Sequence, residues 1–231
     1  MTYTVDPANP TTPLGSQGAK QGAEELRALK ALVQSALKNI VSWNPLDTSS
    51  SILLSGLNLI ATKNNIDALY HAVRGNTKIS SGKIYWEITI NSVGAVLPIF
   101  GIGTINAALE NYVGSDPYGL GYGGNAGNIF NGGVGTAFGA PFAAGDVIGF
   151  ALDMTVPSFQ IFKNNVSQGT IALTAGQTWY PMASMSINGE QNTINFGDQA
   201  FKYTPPVGFV SIILAVISIR DFFVKQFFPY F

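Results

Sequence analysis

The chain has 231 residues, of which 46% are apolar and only 11% charged, with a formal net charge of −1. That length suits one medium domain plus an appendage, and the apolar share is enough for a sizeable core. The near-neutral balance, with no basic block, excludes the cationic patch that a nucleic-acid binder needs, and the lack of cysteine excludes disulfides and thiolate metal sites.

Residues 1–20 read as extended. Pro7, Pro10 and Pro13 fix φ and remove donors, while Gly15 and Gly18 add freedom. Such a segment builds no core of its own; it is either a disordered tail or an arm that orders when docked on a partner. Residues 1–12 have no charged region followed by an apolar stretch, so they do not read as a secretory signal. Residues 21–40 read as a helix. After Gly22, the residues Leu26, Leu29, Val33, Ala36 and Ile40 recur in steps of four and three, an a/d seam. Glu24 and Glu25 in the first turn and Lys38 in the last suit the helix dipole. So short a helix is marginal alone. It either packs on its own domain or forms a short parallel bundle, with three chains the expected number.

From Ser42 the character changes to short alternating runs between Gly, Asn, Asp and Pro clusters, the pattern of an antiparallel sandwich. Ile84, Trp86, Ile88 and Ile90 are expected to face a core, with Tyr85, Glu87 and Thr89 turned outward. Ile148, Phe150 and Leu152 share one face of a second strand, and Ile194 and Phe196 one face of a third. Residues 163–169 read as a turn between strands. The stretch 114–139 alternates aromatic residues with Gly and Asn, and reads as twisted strands in which the backbone is closely approached. Residues 211–231 are strongly apolar but too short a run to span a membrane. They either cover the sandwich, lie between subunits, or form a divergent end.

Several motifs follow one another in the order of a known family. Ser81-Gly82-Lys83-Ile84-Tyr85-Trp86-Glu87-Ile88, then Phe100-Gly101-Ile102-Gly103, then Tyr118-Gly119-Leu120-Gly121-Tyr122 come first. Ala144-Gly145-Asp146-Val147-Ile148-Gly149-Phe150-Ala151-Leu152-Asp153 is the most specific, followed by Trp179-Tyr180-Pro181 and Ile194-Asn195-Phe196-Gly197. Over about 43–210 the chain resembles the SPRY domain, a concanavalin-like β-sandwich. The resemblance implies two antiparallel sheets packed face to face, a recognition scaffold whose loops at one end bind protein or peptide, and no cofactor. The turn at Asn164-Asn165 departs from the family in lacking its usual Gly, and the loops differ from those of animal ubiquitin-ligase SPRY domains, so peptide specificity is not carried over. Residues 9–15 and 22–30 resemble the start of bacteriophage tail-fibre and other virion appendage proteins, in which an arm and short helix attach to the particle.

Catalytic chemistry is poorly served. His71 is the single histidine, so a multi-His metal site is out and a Ser-His-Asp arrangement rests on one residue. Glu87, Asp146, Asp153 and Asp198 are the carboxylates a glycosidase would draw on, but they fall on strand and turn motif positions. Residues 119–124 are Gly-rich but open no helix, which removes the dinucleotide reading. Trp86 and Trp179 read as core. A candidate ligand surface for peptide or sugar consists of Tyr112, Asp116, Tyr118, Tyr122, Asn125, Asn128 and Asn131, with the alternative that half of its tyrosines pack inside.

The expectation is thus a mainly β chain, not an enzyme, without cofactor or metal. It comprises an attachment arm (1–20), a helical stalk (21–40), a SPRY-like sandwich (41–210) and an apolar C-terminal segment (211–231). The leading functional reading is a homotrimeric phage tail fibre or similar virion protein. Its arm would bind other virion proteins and its sandwich a host surface protein or glycan, with no nucleic acid and no membrane span. The alternatives are a capsid or neck decoration protein and an intracellular peptide-binding SPRY adaptor.

Overall fold

Alternating apolar runs become strands because alternate side chains leave opposite faces of an extended chain. The structure is a computed structural model that describes Glu24, Arg27 and residues 41–216. The chain divides into two compact units, Met1–Lys38 and Asn39–Phe231. Of the expected stalk, Glu24 and Arg27 are helical. The seam residues Leu26, Leu29, Val33, Ala36 and Ile40, like the arm, lie outside the described residues.

The strands of the second unit are, in chain order, β1 (Trp43–Thr48), β2 (Ile52–Ser55), β3 (Ile60–Lys63), β4 (His71–Gly75) and β5 (Lys83–Ser92). Next come β6 (Ile99–Gly103), β7 (Gly119–Gly123), β8 (Asn128–Asn131), β9 (Val134–Ala137) and β10 (Val147–Asp153). The last are β11 (Ser158–Lys163), β12 (Val166–Ala172), β13 (Tyr180–Met185), β14 (Gln191–Asn195) and β15 (Val210–Ser211). They form two sheets. One is seven-stranded, in the order β1-β4-β13-β6-β7-β8-β9. The other is eight-stranded, in the order β12-β11-β10-β5-β14-β3-β2, with β15 parallel to the start of β5. The hairpin β11–β12 turns on Asn164 and Asn165, both at positive φ (48° and 68°). That is the two-residue geometry whose twist matches the strands, and asparagine tolerates it where glycine is absent.

The core lies between the sheets. Ile84, Trp86, Ile88 and Ile90 of β5 point inward as expected, as do Ile148, Phe150 and Leu152, and Ile194 and Phe196. Phe150, Trp86 and Phe159 form a mutual stack, with ring centroids 5.4, 5.5 and 6.1 Å apart. Each outer face is partly covered by a returning connection. Over the eight-stranded sheet, Tyr85 and Glu87 do point outward, but Glu87 is only 2% exposed. Its carboxylate accepts the N–H groups of Lys202 (2.8 Å) and Tyr203 (2.9 Å) and the Tyr85 hydroxyl (3.0 Å). Phe201 packs edge-on against the Tyr85 ring at 5.0 Å. The expectation of a solvent face there fails at these two residues because the chain after β14 crosses them; Thr89, beyond its reach, is exposed.

Over the seven-stranded sheet, the long connection 104–118 lies against β6, β7 and β13. A small second cluster of Ala72, Ile99, Ala107, Val113 and Met182 forms beneath it. Glycines make room for this approach: a Cβ on Gly121 would stand 2.0 Å from the Val113 carbonyl oxygen. The apolar C-terminal stretch begins as cover for the sandwich. After β15, a short helix spans 212–216, with Ile212 and Ile213 buried in the main core. Among the described residues, no helix is long and apolar enough to cross a membrane.

Candidate functional site

Strand directions bring the connections 64–70 (β3–β4), 93–98 (β5–β6), 124–127 (β7–β8) and 186–190 (β13–β14), among others, to one end of the sandwich. Buried charge ties them together. Lys63 closes β3 with a fully buried side chain, and its ammonium donates to Asp67 Oδ1 (2.8 Å) and the Asn65 carbonyl (3.2 Å). Asp67 also accepts the Leu69 N–H, and its other oxygen meets His71 Nε2 at 2.8 Å. The Lys63 ammonium, the Leu69 N–H and the His71 ring hold the Asp67 carboxyl well below its usual range.

His71 opens β4, and its Nδ1 lies 2.6 Å from Glu110 of the long connection. Glu190 binds the next loop over, accepting the N–H groups of Ser186 (2.8 Å), Ile187 (2.9 Å) and Gly94 (3.2 Å). Burial pushes its pKa up, while those donors and Lys63 pull the other way. The Tyr70 hydroxyl donates to the Leu97 carbonyl (2.9 Å), and Asn125 accepts the Leu97 N–H (2.7 Å).

What this braced end displays is apolar. Ile66 is 86% exposed and Leu69 63%, on either side of Asp67, and Val96 is exposed on the neighbouring loop. Single exposed apolar side chains are ordinary, but here two stand on one loop held by buried charge. Rings continue the surface: Tyr112 lies edge-on between Tyr70 (5.6 Å) and Phe130 (5.4 Å). A small pocket of about 100 Å³ opens beside them, lined by Tyr70, Leu97, Asn125, Asn128 and Phe130.

The seven candidate residues are therefore split. Tyr112, Asn125 and Asn128 belong to this end. Asp116 caps the long connection at its other turn, accepting the N–H groups of Ala108 and Tyr118 at 2.8 Å each. Tyr118 is exposed at the opposite end, where Asn131 donates to the Gly119 carbonyl (2.8 Å). Tyr122 is core, its hydroxyl bonded to the Ala140 carbonyl. Its alternation partner Leu120 is inward too, so strand parity decides its side. Lys63, Asp67, His71 and Glu190 were missed as site builders. The one signal was charge and a lone histidine within short apolar strands.

Ser49, His71 and Asp67 do come within bonding distance, Ser49 Oγ at 2.9 Å from Nδ1 and Asp67 at Nε2. The histidine is committed to carboxylates on both sides. Each ring nitrogen has a carboxylate oxygen as a partner, Asp67 at Nε2 (2.8 Å) and Glu110 at Nδ1 (2.6 Å), and Nδ1 is shared between Glu110 and the Ser49 hydroxyl. Ser49 is 3% exposed, and its hydroxyl donates to Glu110 (3.0 Å). Among the described residues, no group of three His, Cys, Asp or Glu is placed to hold a metal ion.

The SPRY domain family profile matches residues 83–199. The chain is 30% identical over 204 residues to the Ran-binding proteins 9/10 homolog of Drosophila melanogaster, covering 84% of this chain and 21% of that protein. It is 30% identical over 170 residues to Ran-binding protein 10 of Danio rerio (70% and 28%). It is 26% identical over 189 residues to the ATP-dependent RNA helicase DDX1 of Xenopus laevis (79% and 24%). The chain thus spans about a quarter of the length of these relatives. In fold it is similar to the SPRY domain of human HERC1, with 18% identity and a TM-score of 0.58, over 66% of this chain and 96% of that one. A second human SPRY domain gives 18% identity and 0.55, over 65% and 98%.

These relatives are animal proteins, and they overturn the virion reading. The tail-fibre assignment, the binding of virion proteins and a host surface, the homotrimer and the virion location are all corrected by them. The error has a physical source: prolines followed by a short amphipathic helix suit any chain with an extended leader, so those residues carry little specific information. The motif order from β5 to β14 is specific, and it is what the profile matches: the chain belongs to the SPRY domain family.

Proposed function

We propose that the chain is an intracellular protein-interaction adaptor, which docks a peptide segment of a partner protein at the braced loop end and carries out no chemistry of its own. The observation that carries this reading is the exposure of Ile66 and Leu69 on a loop fixed by Lys63, Asp67 and His71. A fixed loop loses little entropy on binding, so its apolar side chains serve as anchors rather than as entropy reservoirs. Two animal relatives named as Ran-binding proteins support a binding role without supplying the ligand. The burial of Ser49 beside His71 supports a role without catalysis.

The test is co-precipitation from animal-cell extract with the full chain, its Leu69→Asp variant and a Val156→Asp control. Val156 is equally exposed but sits in the β10–β11 turn at the other end. A partner lost with Leu69→Asp and kept with Val156→Asp is expected. Partners lost equally with both, or with neither, would move the docking surface elsewhere.

A further inference from the structure

The opposite end of the sandwich holds a second feature, independent of the loop-end reading. The start and finish of the 104–118 connection and the β12–β13 connection enclose a cleft of about 550 Å³, within the range of ligand sites. Its walls carry Ile105, Asn106, Tyr118, Gln177, Trp179 and Tyr180, and no charged residue lines it. Ile105 and Tyr118 are exposed, Tyr118 by 47%.

The walls are fixed before any ligand arrives. The Thr104 N–H donates to the Tyr118 carbonyl (2.8 Å), and Asp116 holds the N–H groups on both sides of the turn. Trp179 exchanges backbone hydrogen bonds with Ile79, at 2.7 and 2.9 Å. The Arg74 guanidinium lies 5.9 Å from the Tyr180 ring centroid and is itself tied to Asp47 and the Ala107 carbonyl. The polar groups facing the cleft are not committed in the same way. Among the described residues, the side chains of Asn106 and Gln177 and the hydroxyls of Tyr118 and Tyr180 make no hydrogen bond, in contrast to the polar side chains of the loop end.

We infer that this cleft binds a neutral, proline-bearing peptide segment in the polyproline II conformation. Without a charged wall, nothing there rewards a charged ligand. A polyproline II segment offers proline rings to aromatic faces, and its carbonyls are unpaired acceptors with no N–H at the prolines. Amide and phenol donors beside Tyr118 and Tyr180 complement that pattern, as aromatic grooves do in other proline-reading modules.

The test measures fluorescence anisotropy of a fluorescein-labelled decaproline peptide against the full chain. Saturable binding is expected, weakened about tenfold by Tyr118→Ala and unaffected by Leu69→Asp at the other end. The Tyr118 backbone bonds survive in alanine; should that variant melt early, Gln177→Ala, at an exposed position, is expected to weaken binding in the same direction. Absence of saturable binding, or full binding by both variants, would overturn the inference. Saturable binding of cellohexaose without decaproline binding would overturn it too, since the ligand would then be a glycan. Because Leu69→Asp reads the loop end separately, failure here leaves the adaptor reading standing.

Discussion

Replacing Glu87 probes how the sandwich holds the chain that crosses it. Glu87→Ala removes the acceptor of two backbone N–H groups and one hydroxyl, all beneath the 199–209 crossing. A buried donor left without a partner costs about 1–3 kcal/mol. Two such N–H groups set an upper figure of about 6 kcal/mol, and lifting of the segment to let water in lowers the expected loss to about 2–5 kcal/mol. For a domain of this size that is a fall of about 5–15 °C in melting temperature. Glu87→Gln keeps one acceptor oxygen but turns an amide N–H₂ toward a donor, so an intermediate loss of about 1–2 kcal/mol is expected. Urea denaturation gives the free energies, and amide exchange at Lys202 and Tyr203 shows where they arise. A loss below about 1 kcal/mol in Glu87→Ala with unchanged exchange at both amides would refute the assignment of Glu87 as the anchor.

Other expectations follow from the packing and the titrating groups. Phe150→Ala should cost about 3–5 kcal/mol by urea denaturation, because its ring is fully buried against Trp86 and Phe159; a loss under about 1 kcal/mol would place it outside the core. Gly121→Ala sets a Cβ 2.0 Å from the Val113 carbonyl oxygen and should cost about 1–3 kcal/mol while raising amide exchange in 104–118; a neutral effect would mean that the connection is loose. Burial pushes the Tyr70 hydroxyl up to about 12, helped by Glu190, and the Tyr122 hydroxyl likewise to about 12. A raised phenol favours the neutral form in the fold, so this stabilisation is complete below about pH 10, the unfolded value, and is lost as pH rises through 12. Absorbance at 295 nm should show these tyrosines titrating late, together with loss of stability; titration of all tyrosines near 10 with the fold intact would contradict it.

How much of this was legible in the sequence varies with the reach of the interaction. Facing along β5, β10 and β14 could be read directly, because period-two alternation is local and the core takes every inward residue. Glu87 shows the limit. Its outward direction was legible, but its burial depends on a segment more than a hundred residues later. The same holds for Gly119 and Gly121 of β7: close approach could be inferred from the Gly-rich pattern, but not that the approaching chain was 104–118. Of the candidate ligand surface, Tyr112 and Tyr118 sit at opposite ends although six residues apart, because the connection between them runs across the sheet and returns. The bracing charges escaped notice for a different reason. Lys63, Asp67 and His71 look like an ordinary polar loop until the fold buries the Lys63 stem and sets Glu110 beside the histidine.

The most direct measurement of the docking surface is photo-crosslinking from benzoylphenylalanine placed at Leu69 or at Val156 of the full chain in animal-cell extract. A discrete crosslinked partner from Leu69, competed away by unlabelled full chain and absent from Val156, is the expected result. A partner captured only from Val156, or the same species from both positions, would contradict the loop end as the site of recognition.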